Sequence, residues 1–274
     1  MSARSLFFVW ASSIAMTAVF ILACYYLGAT RVLNFSMGDC KGGRHISASN
    51  VVVGTSLTGH AFPPIIDGPN KLLPERTIRW NLPNANGKEV RQLAIHALDS
   101  GAELIFFEAG PLVWEFEYTN SNFFSEFSRR NRVGLRILLG QREYCYRLLD
   151  EKPPKLMNAI YDPRRITESS VNYGTTNWEE DNELKNLVER VKQQGSKIIL
   201  LSYPRAASSV IGSYDRHNLD QIHDAERELA NYLGLKLFAP DQFWPDDYFA
   251  DRSHLNTRGR ERYMTEFSAW WAAQ

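Results

Sequence analysis

The stretch Val51-Val52-Val53-Gly54-Thr55-Ser56-Leu57 decides the fold that we expect for this chain. Three β-branched apolar residues in a row are typical of a buried strand, and the glycine that follows ends it. The Gly-x-Ser turn can then present a serine at the carboxyl end of that strand. A serine there becomes a nucleophile when a base takes its proton and a third group orients that base.

Strands and helices alternate after this stretch. Further strands are predicted at Thr77–Trp80, Leu104–Phe107, Ile198–Leu201 and Leu235–Phe238. Apolar residues recur at helical spacing in residues 90–98, 184–191 and 219–229, and these runs end near Gly101, Gly195 and Gly234; Thr257 is predicted to cap a last helix that reaches Trp270. This alternation predicts an α/β fold with a parallel sheet between helices and a site outside the carboxyl ends of the strands.

A second segment, Asp251-Arg252-Ser253-His254, places a carboxylate and an imidazole three residues apart in a predicted loop before the last helix. Either segment alone is a common pattern, and the strand before the serine is what links the two. Together they predict three catalytic roles. Ser56 attacks as the nucleophile, His254 takes its proton, and Asp251 orients the imidazole.

The two segments resemble the first and last blocks of the SGNH (GDSL-type) hydrolase superfamily, and the resemblance covers most of residues 50–273. It implies a flavodoxin-like fold with about five parallel strands and an oxyanion hole. The implied donors are the backbone amide of Ser56 and that of Gly87, because residues 81–87 resemble the family's second block.

This chain departs from the family pattern at two positions. Leu112 falls where the third block has an oxyanion-binding asparagine, and Thr55 replaces the usual aspartate beside the serine. Removing one oxyanion donor commonly costs about 2.7–4 kcal/mol of transition-state stabilisation. The members that tolerate such losses include membrane-anchored proteins that O-acylate cell-surface polymers, in the manner of alginate acetylation and DltD-like proteins.

The resemblance therefore implies an acyltransferase that moves an acyl group, in the first place acetyl, to an extracytoplasmic polysaccharide through an acyl-enzyme at Ser56. The implied partners are the polysaccharide acceptor and a multi-spanning membrane O-acyltransferase. Two alternatives stay open. One is a carbohydrate or lipid esterase with the same triad, since water can also resolve the acyl-enzyme. The other is a non-catalytic polymer-binding or scaffolding subunit, which the residues Leu112 and Thr55 motivate.

The amino-terminal region predicts a membrane anchor. No charged residue occurs from Ser5 to Ala29, a run longer than the roughly 20 residues that cross a bilayer. We expect an uncleaved transmembrane helix within residues 1–30, a linker at 31–49 and a catalytic domain at 50–274; a lipoprotein-like cleavage site at 21–24 is the alternative. The count of flanking basic residues favours a cytoplasmic body, whereas the resemblance implies a body in the periplasm or at the cell exterior.

Residues 111–177 interrupt the alternation. The segment is aromatic at its start and then basic, and it is predicted to form an inserted helical cap with a loop beyond it. It is either a wall of the substrate cleft or docking face, or a surface elaboration that packs on the sheet. Cys40 and Cys145 are a candidate disulfide or two free thiols.

Composition narrows the classes of partner that we expect this chain to bind. The chain of 274 residues has 31 basic and 31 acidic side chains, so its zero formal charge gives no sign of nucleic-acid binding. No spacing of His, Cys or carboxylate residues fits a metal site, and no cofactor is predicted.

Four more residues are candidates for substrate binding. His60, four residues after Ser56, is expected in the cleft or just behind it. Glu108 ends the third predicted strand and is either a functional carboxylate or paired with an arginine. Arg205 follows the fourth strand and points into the cleft or into solvent. Trp244 precedes the predicted loop that carries Asp251 and His254, and it either stacks on carbohydrate or packs in the core.

Overall fold

The structure, a computed structural model, describes residues 3–29, 49–63, 65–66, 77–82, 85–118, 157–162, 171–210 and 216–274. The chain divides into two compact units, one of residues 1–40 and 120–143 and the other of residues 41–119 and 144–274. The predicted linker up to residue 48, both cysteines of the candidate disulfide and most of the predicted cap lie outside the described residues.

In the first unit, the described residues form helix α1, Ala3–Ala29. The predicted anchor falls on this helix. Among the helices in the described ranges, none is both long and apolar enough to cross a membrane.

The second unit is built on a sheet with strand order β2-β3-β1-β4-β7-β9 in its described part. These strands are β1 Asn50–Gly54, β2 Ile65–Ile66, β3 Thr77–Asn81, β4 Leu104–Glu108, β7 Lys197–Leu201 and β9 Lys236–Phe238. Five of them, from β3 to β9, run parallel, and β2 joins the edge of β3 antiparallel. The predicted α/β fold with a parallel sheet is confirmed, and each of the five predicted strands is one of the five parallel strands.

Helices connect these strands and cover the sheet. They are α2 Ser56–Ala61, α3 Gly87–Asp99, α4 Gly110–Val113, α5 Asn182–Gln193, α6 Arg216–Leu233 and α7 Thr257–Ala272. The three glycines predicted to end helices have positive φ angles of 86°, 73° and 64°, which only glycine adopts readily. The predicted cap of α7 is wrong by one residue, because the side chain of Asn256, and not that of Thr257, accepts the Gly259 amide at 3.1 Å.

The core on one face of the sheet is aromatic. Phe106 of β4 packs edge-to-face on Phe267 of α7, with the ring centroids 5.2 Å apart, and Phe62 contacts the same ring at 5.5 Å. Tyr263, one turn earlier on α7, is also fully buried in this cluster. α3 and α5 pack on β1, β4 and β7 through their own apolar stripes. The C-terminal helix is therefore anchored in the core, and it holds the segment before it against the sheet.

The segment after β4 differs from its prediction. The described flanks of the predicted helical cap form an antiparallel pair, β5 Trp114–Tyr118 with β6 Val171–Thr175. The residues of β5 alternate between aromatic and acidic, a period of two that is typical of a strand. The prediction of helix is therefore wrong at these flanks, because alternation of aromatic and acidic residues favours a strand.

Two short strands lie beside the segment of residues 250–254 that carries Asp251 and His254, which we call the histidine loop. β8 Arg205–Ala206 and β10 Phe243–Trp244 pair in parallel outside the main sheet. Because β8 follows β7 directly and β10 precedes the loop, the pair holds the loop near the carboxyl ends of the central strands.

Candidate active site

Ser56 lies at the carboxyl edge of the sheet, two residues after the end of the inner strand β1. It is the first residue of α2, and Thr55 caps that helix, its hydroxyl accepting the Leu57 amide at 3.3 Å. β1 lies between β3 and β4. The chain therefore goes from β1 to the neighbouring strand β3 on one side, and then crosses to β4 on the other side of β1. Open α/β sheets bind ligands at such a reversal of strand order, and the serine is therefore placed where the fold favours a site.

The histidine loop, residues 250–254, is closed mainly by its own backbone. Phe249 and Leu255 form an isolated antiparallel bridge, and the Ala250 amide donates to the His254 carbonyl at 2.8 Å. The Ala206 amide of β8 donates to the Arg252 carbonyl at 3.1 Å. These bonds fix the loop at its two ends and at its tip.

The three predicted catalytic side chains meet at hydrogen-bond distance. The Nε2 atom of His254 lies 2.9 Å from the hydroxyl oxygen of Ser56, 198 residues away in the chain. The Nδ1 atom of His254 lies 2.9 Å and 3.0 Å from the two carboxylate oxygens of Asp251. Both contacts fall within the range of about 2.6–3.2 Å expected between a nucleophile, its base and the group that orients the base.

The hydrogen bonds determine the form of the imidazole. A carboxylate only accepts, so the Nδ1 atom of His254 carries a hydrogen, and Nε2 presents its lone pair to Ser56. Burial works to raise the pKa of Asp251, but the His254 ring and the amides of Ser253 and His254 outweigh it and hold that pKa below its usual value. Asp251 is only 1% exposed, and these hydrogen bonds keep it ionised behind the imidazole despite that burial.

The C-terminal end of α2 is fixed by two arginines. Arg79 of β3 donates to the carbonyls of Gly59 and Phe62, and Arg260 of α7 donates to those of Gly59 and His60. The last carbonyls of a helix need such donors, and positive charge there is favourable. The helix that carries Ser56 is thus bonded to β3 and to the helix that follows the histidine loop.

His60, a predicted substrate-binding residue, lies beside the base. Its ring centroid is 4.7 Å from that of His254, and its Nδ1 atom donates to the Leu255 carbonyl at 2.8 Å. Burial first, and then the neighbouring His254 ring, lower the pKa of His60 to about 4. His60 is therefore a neutral ring that joins α2 to the histidine loop, and a substrate contact for it stays a prediction.

Glu108 does not lie where a substrate-binding residue must. It is 1% exposed at the end of β4, and both of its carboxylate oxygens accept hydrogen bonds from Thr55 and Thr58. Its predicted contact with substrate is corrected on this ground. Among the described residues, the hydrogen bonds to its carboxylate come from the two threonines, and Arg205 interacts with it electrostatically.

Trp244 and Arg205 also differ from their candidate roles. Trp244 is fully buried under the guanidinium of Arg262, 4.1 Å from the ring centroid, so carbohydrate stacking is corrected to core packing. Arg205 is half-buried, and its charge lowers the pKa values of Glu108 and Glu226 against the larger effect of burial. Arg205 therefore faces buried carboxylates, and a substrate contact for it stays a prediction.

The expected oxyanion donors are placed only in part. Gly87 begins α3, and a Cβ atom there would lie 2.3 Å from the Pro111 carbonyl oxygen, so glycine permits α3 and α4 to touch. Leu112 is 5% exposed in that contact and brings no polar side chain. The roles of the Gly87 and Ser56 amides as donors stay predictions.

Two buried residues at the site were not predicted. Thr58 lies two residues after Ser56, and its hydroxyl is 2.8 Å from that of Tyr203, which follows β7. Their signal in the sequence is positional, since one follows β1 and the other follows β7 at the same edge of the sheet.

Within the described ranges, no group of three or more His, Cys, Asp or Glu residues is placed to hold a metal ion. The chain matches no protein-family model and shows no significant similarity to a curated protein.

Proposed function

We propose that this protein is an SGNH-type acyltransferase that moves an acyl group, acetyl in the first place, to a cell-surface polysaccharide through an acyl-enzyme at Ser56. The observation that carries the proposal is the pair of contacts at His254, 2.9 Å to the Ser56 hydroxyl and 2.9 Å to Asp251. The five-stranded parallel sheet, with the serine after one of its inner strands, is compatible with the flavodoxin-like fold that the proposal requires.

The chemistry follows from the tautomer of His254. The Ser56 oxygen attacks the acyl carbonyl carbon while its proton passes to Nε2 of His254, and the imidazolium is stabilised by Asp251. The tetrahedral intermediate collapses when the leaving alcohol takes that proton, and an ester on Ser56 remains. A sugar hydroxyl then gives its proton to Nε2 and attacks the ester, which releases Ser56 and leaves the acyl group on the sugar.

The first experiment asks whether Ser56 forms an acyl-enzyme. The purified full chain is mixed with p-nitrophenyl acetate, and release of nitrophenol is followed together with the mass of the protein. We expect turnover and a transient acetyl adduct on Ser56, both lost in Ser56→Ala. Ser100→Ala removes an equivalent hydroxyl at the far end of α3 and should keep both. Equal rates from wild type and Ser56→Ala would remove the catalytic proposal and favour a binding subunit.

The second experiment separates transfer from hydrolysis. The same assay is repeated with an added oligosaccharide, and the products are identified by mass spectrometry. We expect acetylated sugar to replace free acetate as the sugar concentration rises. Acetate alone at every concentration would identify the protein as an esterase with the same triad.

The location of the catalytic unit is part of the proposal, because surface polysaccharides are acylated outside the cytoplasm. The charge-free run from Ser5 to Ala29 supports membrane attachment, and the resemblance to membrane-anchored acyltransferases supplies the side. A reporter that is active only outside the membrane, fused after Gln274, should give signal. Signal only from a cytoplasmic reporter would favour the count of flanking basic residues and contradict this location.

A further inference from the structure

A buried carboxylate lies directly behind the turn that carries Ser56. One oxygen of Glu108 accepts the backbone amide of Thr55 at 2.6 Å and the hydroxyl of Thr58 at 2.7 Å, and the other oxygen accepts the hydroxyl of Thr55 at 2.7 Å. Thr55 and Thr58 flank Ser56 on both sides in sequence. Three hydrogen bonds from one side chain therefore fix the backbone before the nucleophile and the first turn after it.

The donors and acceptors in this network can be assigned. Because the Thr58 hydroxyl donates to Glu108, the contact of 2.8 Å with Tyr203 must have the tyrosine as donor. Tyr203 is 5% exposed and stacks on Tyr263, with the ring centroids 5.1 Å apart. Each hydroxyl thus has one geometry open to it, and a fully satisfied buried network of this kind is rigid.

Gly54 makes room for the carboxylate. A Cβ atom at this position would lie 2.3 Å from one Glu108 oxygen and 1.9 Å from the Thr58 hydroxyl oxygen. The glycine that the sequence places before the turn is therefore needed so that Glu108 can reach Thr55 and Thr58.

We propose that Glu108 is a positioning residue, which acts through Thr55 and Thr58 to hold the Ser56 hydroxyl within reach of His254. Three donors that converge on one desolvated carboxylate form charge-assisted hydrogen bonds, which are stronger than neutral ones. Glu108 is 1% exposed, and its carboxylate faces Thr55 and Thr58. The inference rests on the proposed function, since it assigns a task to Glu108 only if Ser56 is the nucleophile.

The test uses the p-nitrophenyl acetate assay with the full chain. Glu108→Gln keeps the shape of the side chain but replaces one acceptor oxygen by a donor that faces the Thr55 hydroxyl. A misplacement of about 1 Å at a reacting atom commonly costs about 100-fold in rate. We expect kcat to fall by about that factor while KM is unchanged, because the substrate-binding groups are untouched.

A second pair of variants keeps the inference testable if Glu108→Gln does not fold. Thr55→Val removes the hydroxyl that donates to Glu108, whereas Thr55→Ser retains it. We expect a lowered kcat in the first and a wild-type kcat in the second. The control is Glu226→Gln, a change at another buried carboxyl. Glu226 accepts a hydrogen bond from Ser202, and among the described residues it has no hydrogen bond to residues 55–58, the nucleophile turn. Its kcat should equal that of wild type.

The outcomes can be told apart. A wild-type kcat in folded Glu108→Gln, or equal values in Thr55→Ser and Thr55→Val, would overturn the positioning role and leave the proposed function intact. A loss in KM alone would also overturn it, since it would place Glu108 in substrate binding. Wild-type turnover in Ser56→Ala would overturn the proposed function, and this inference with it.

Discussion

The nucleophile turn and the histidine loop bring their side chains to the same point by different means. The turn at Thr55–Thr58 is held by side chains, above all by the carboxylate of Glu108. The loop is held by backbone bonds within itself and to β8, and Asp251 accepts two of the loop's own amides. This difference predicts that side-chain substitutions disturb the geometry of the turn more than that of the loop, because a substitution leaves backbone hydrogen bonds in place.

The largest effect is expected where the loop depends on a side chain. Asp251→Asn keeps an oxygen to accept the backbone amides of Ser253 and His254. The NH2 group that replaces the other oxygen cannot accept a hydrogen bond from Nδ1 of His254. The imidazole then takes the other tautomer, with the hydrogen on Nε2 facing Ser56. We expect kcat to fall by about 10⁴-fold with an unchanged near-ultraviolet circular dichroism spectrum.

His254→Ala should be at least as damaging, and the double variant little worse than either, since members of a triad act as a unit. Independent, multiplying losses of kcat in the double variant would show that Asp251 acts on the reaction by some route other than His254.

A second change addresses Glu226, the buried carboxyl that accepts from Ser202. Glu226 is 4% exposed, and burial is the main cause that raises its pKa to about 7; the hydroxyl of Ser202 and the charge of Arg205 oppose the shift, and Glu108 adds to it. The folded pKa is above the unfolded value of 4.5, so this group's stability contribution is full below about pH 4.5 and is lost as pH rises through 7. From about pH 5 to pH 8 the loss is on the order of 2–3 kcal/mol.

Glu226→Gln removes that titration. Its free energy of unfolding, measured in urea, should therefore gain on wild type as pH rises over this range. A constant difference between the two proteins across the range would mean that Glu226 does not titrate there.

His60 joins the two regions and should respond to pH in the opposite sense. Its folded pKa is about 4, below the usual 6.5, because burial disfavours the charged ring. For a base with a lowered pKa, stability is present above about pH 6.5 and is lost as pH falls through 4. Between about pH 7 and pH 5 the loss is about 2 kcal/mol.

His60→Asn keeps a donor for the Leu255 carbonyl and has no charge to gain. The acid-induced loss in urea unfolding should therefore shrink by this amount in the variant. An equal loss in variant and wild type would show that another group, such as buried His223, causes it.

The parallel sheet and the three triad residues could be predicted because each has a local signal. The run at residues 51–54, the helical spacing in 184–191 and the Asp-x-x-His loop are readable within about ten residues. The hydrogen bonds of Glu108 have no such signal, because they join residues 50 and 53 positions apart through a strand pairing. Nor could the burial of Trp244 be predicted, since an aromatic residue before a loop suits a cleft and a core equally well.

The smallest effect is expected at the junction of the histidine loop with α7, where Asn256 combines two tasks. Its side-chain oxygen accepts the Gly259 amide at 3.1 Å, and its nitrogen donates to the carbonyls of Asp247 and Phe249 at 2.8 Å and 3.1 Å.

Asn256→Asp retains the cap and loses both donated hydrogen bonds, whereas Asn256→Ala loses the cap and both donated hydrogen bonds. A lost cap costs about 1 kcal/mol, so Asn256→Ala should be less stable than wild type by at least that amount in urea unfolding, whereas Asn256→Asp loses stability because its carboxylate faces the two carbonyls. Because the loop is closed mainly by its backbone, we expect both variants to keep most of the wild-type kcat. A large loss of kcat in Asn256→Asp would show instead that the histidine loop, like the nucleophile turn, depends on buried side-chain donors for its geometry.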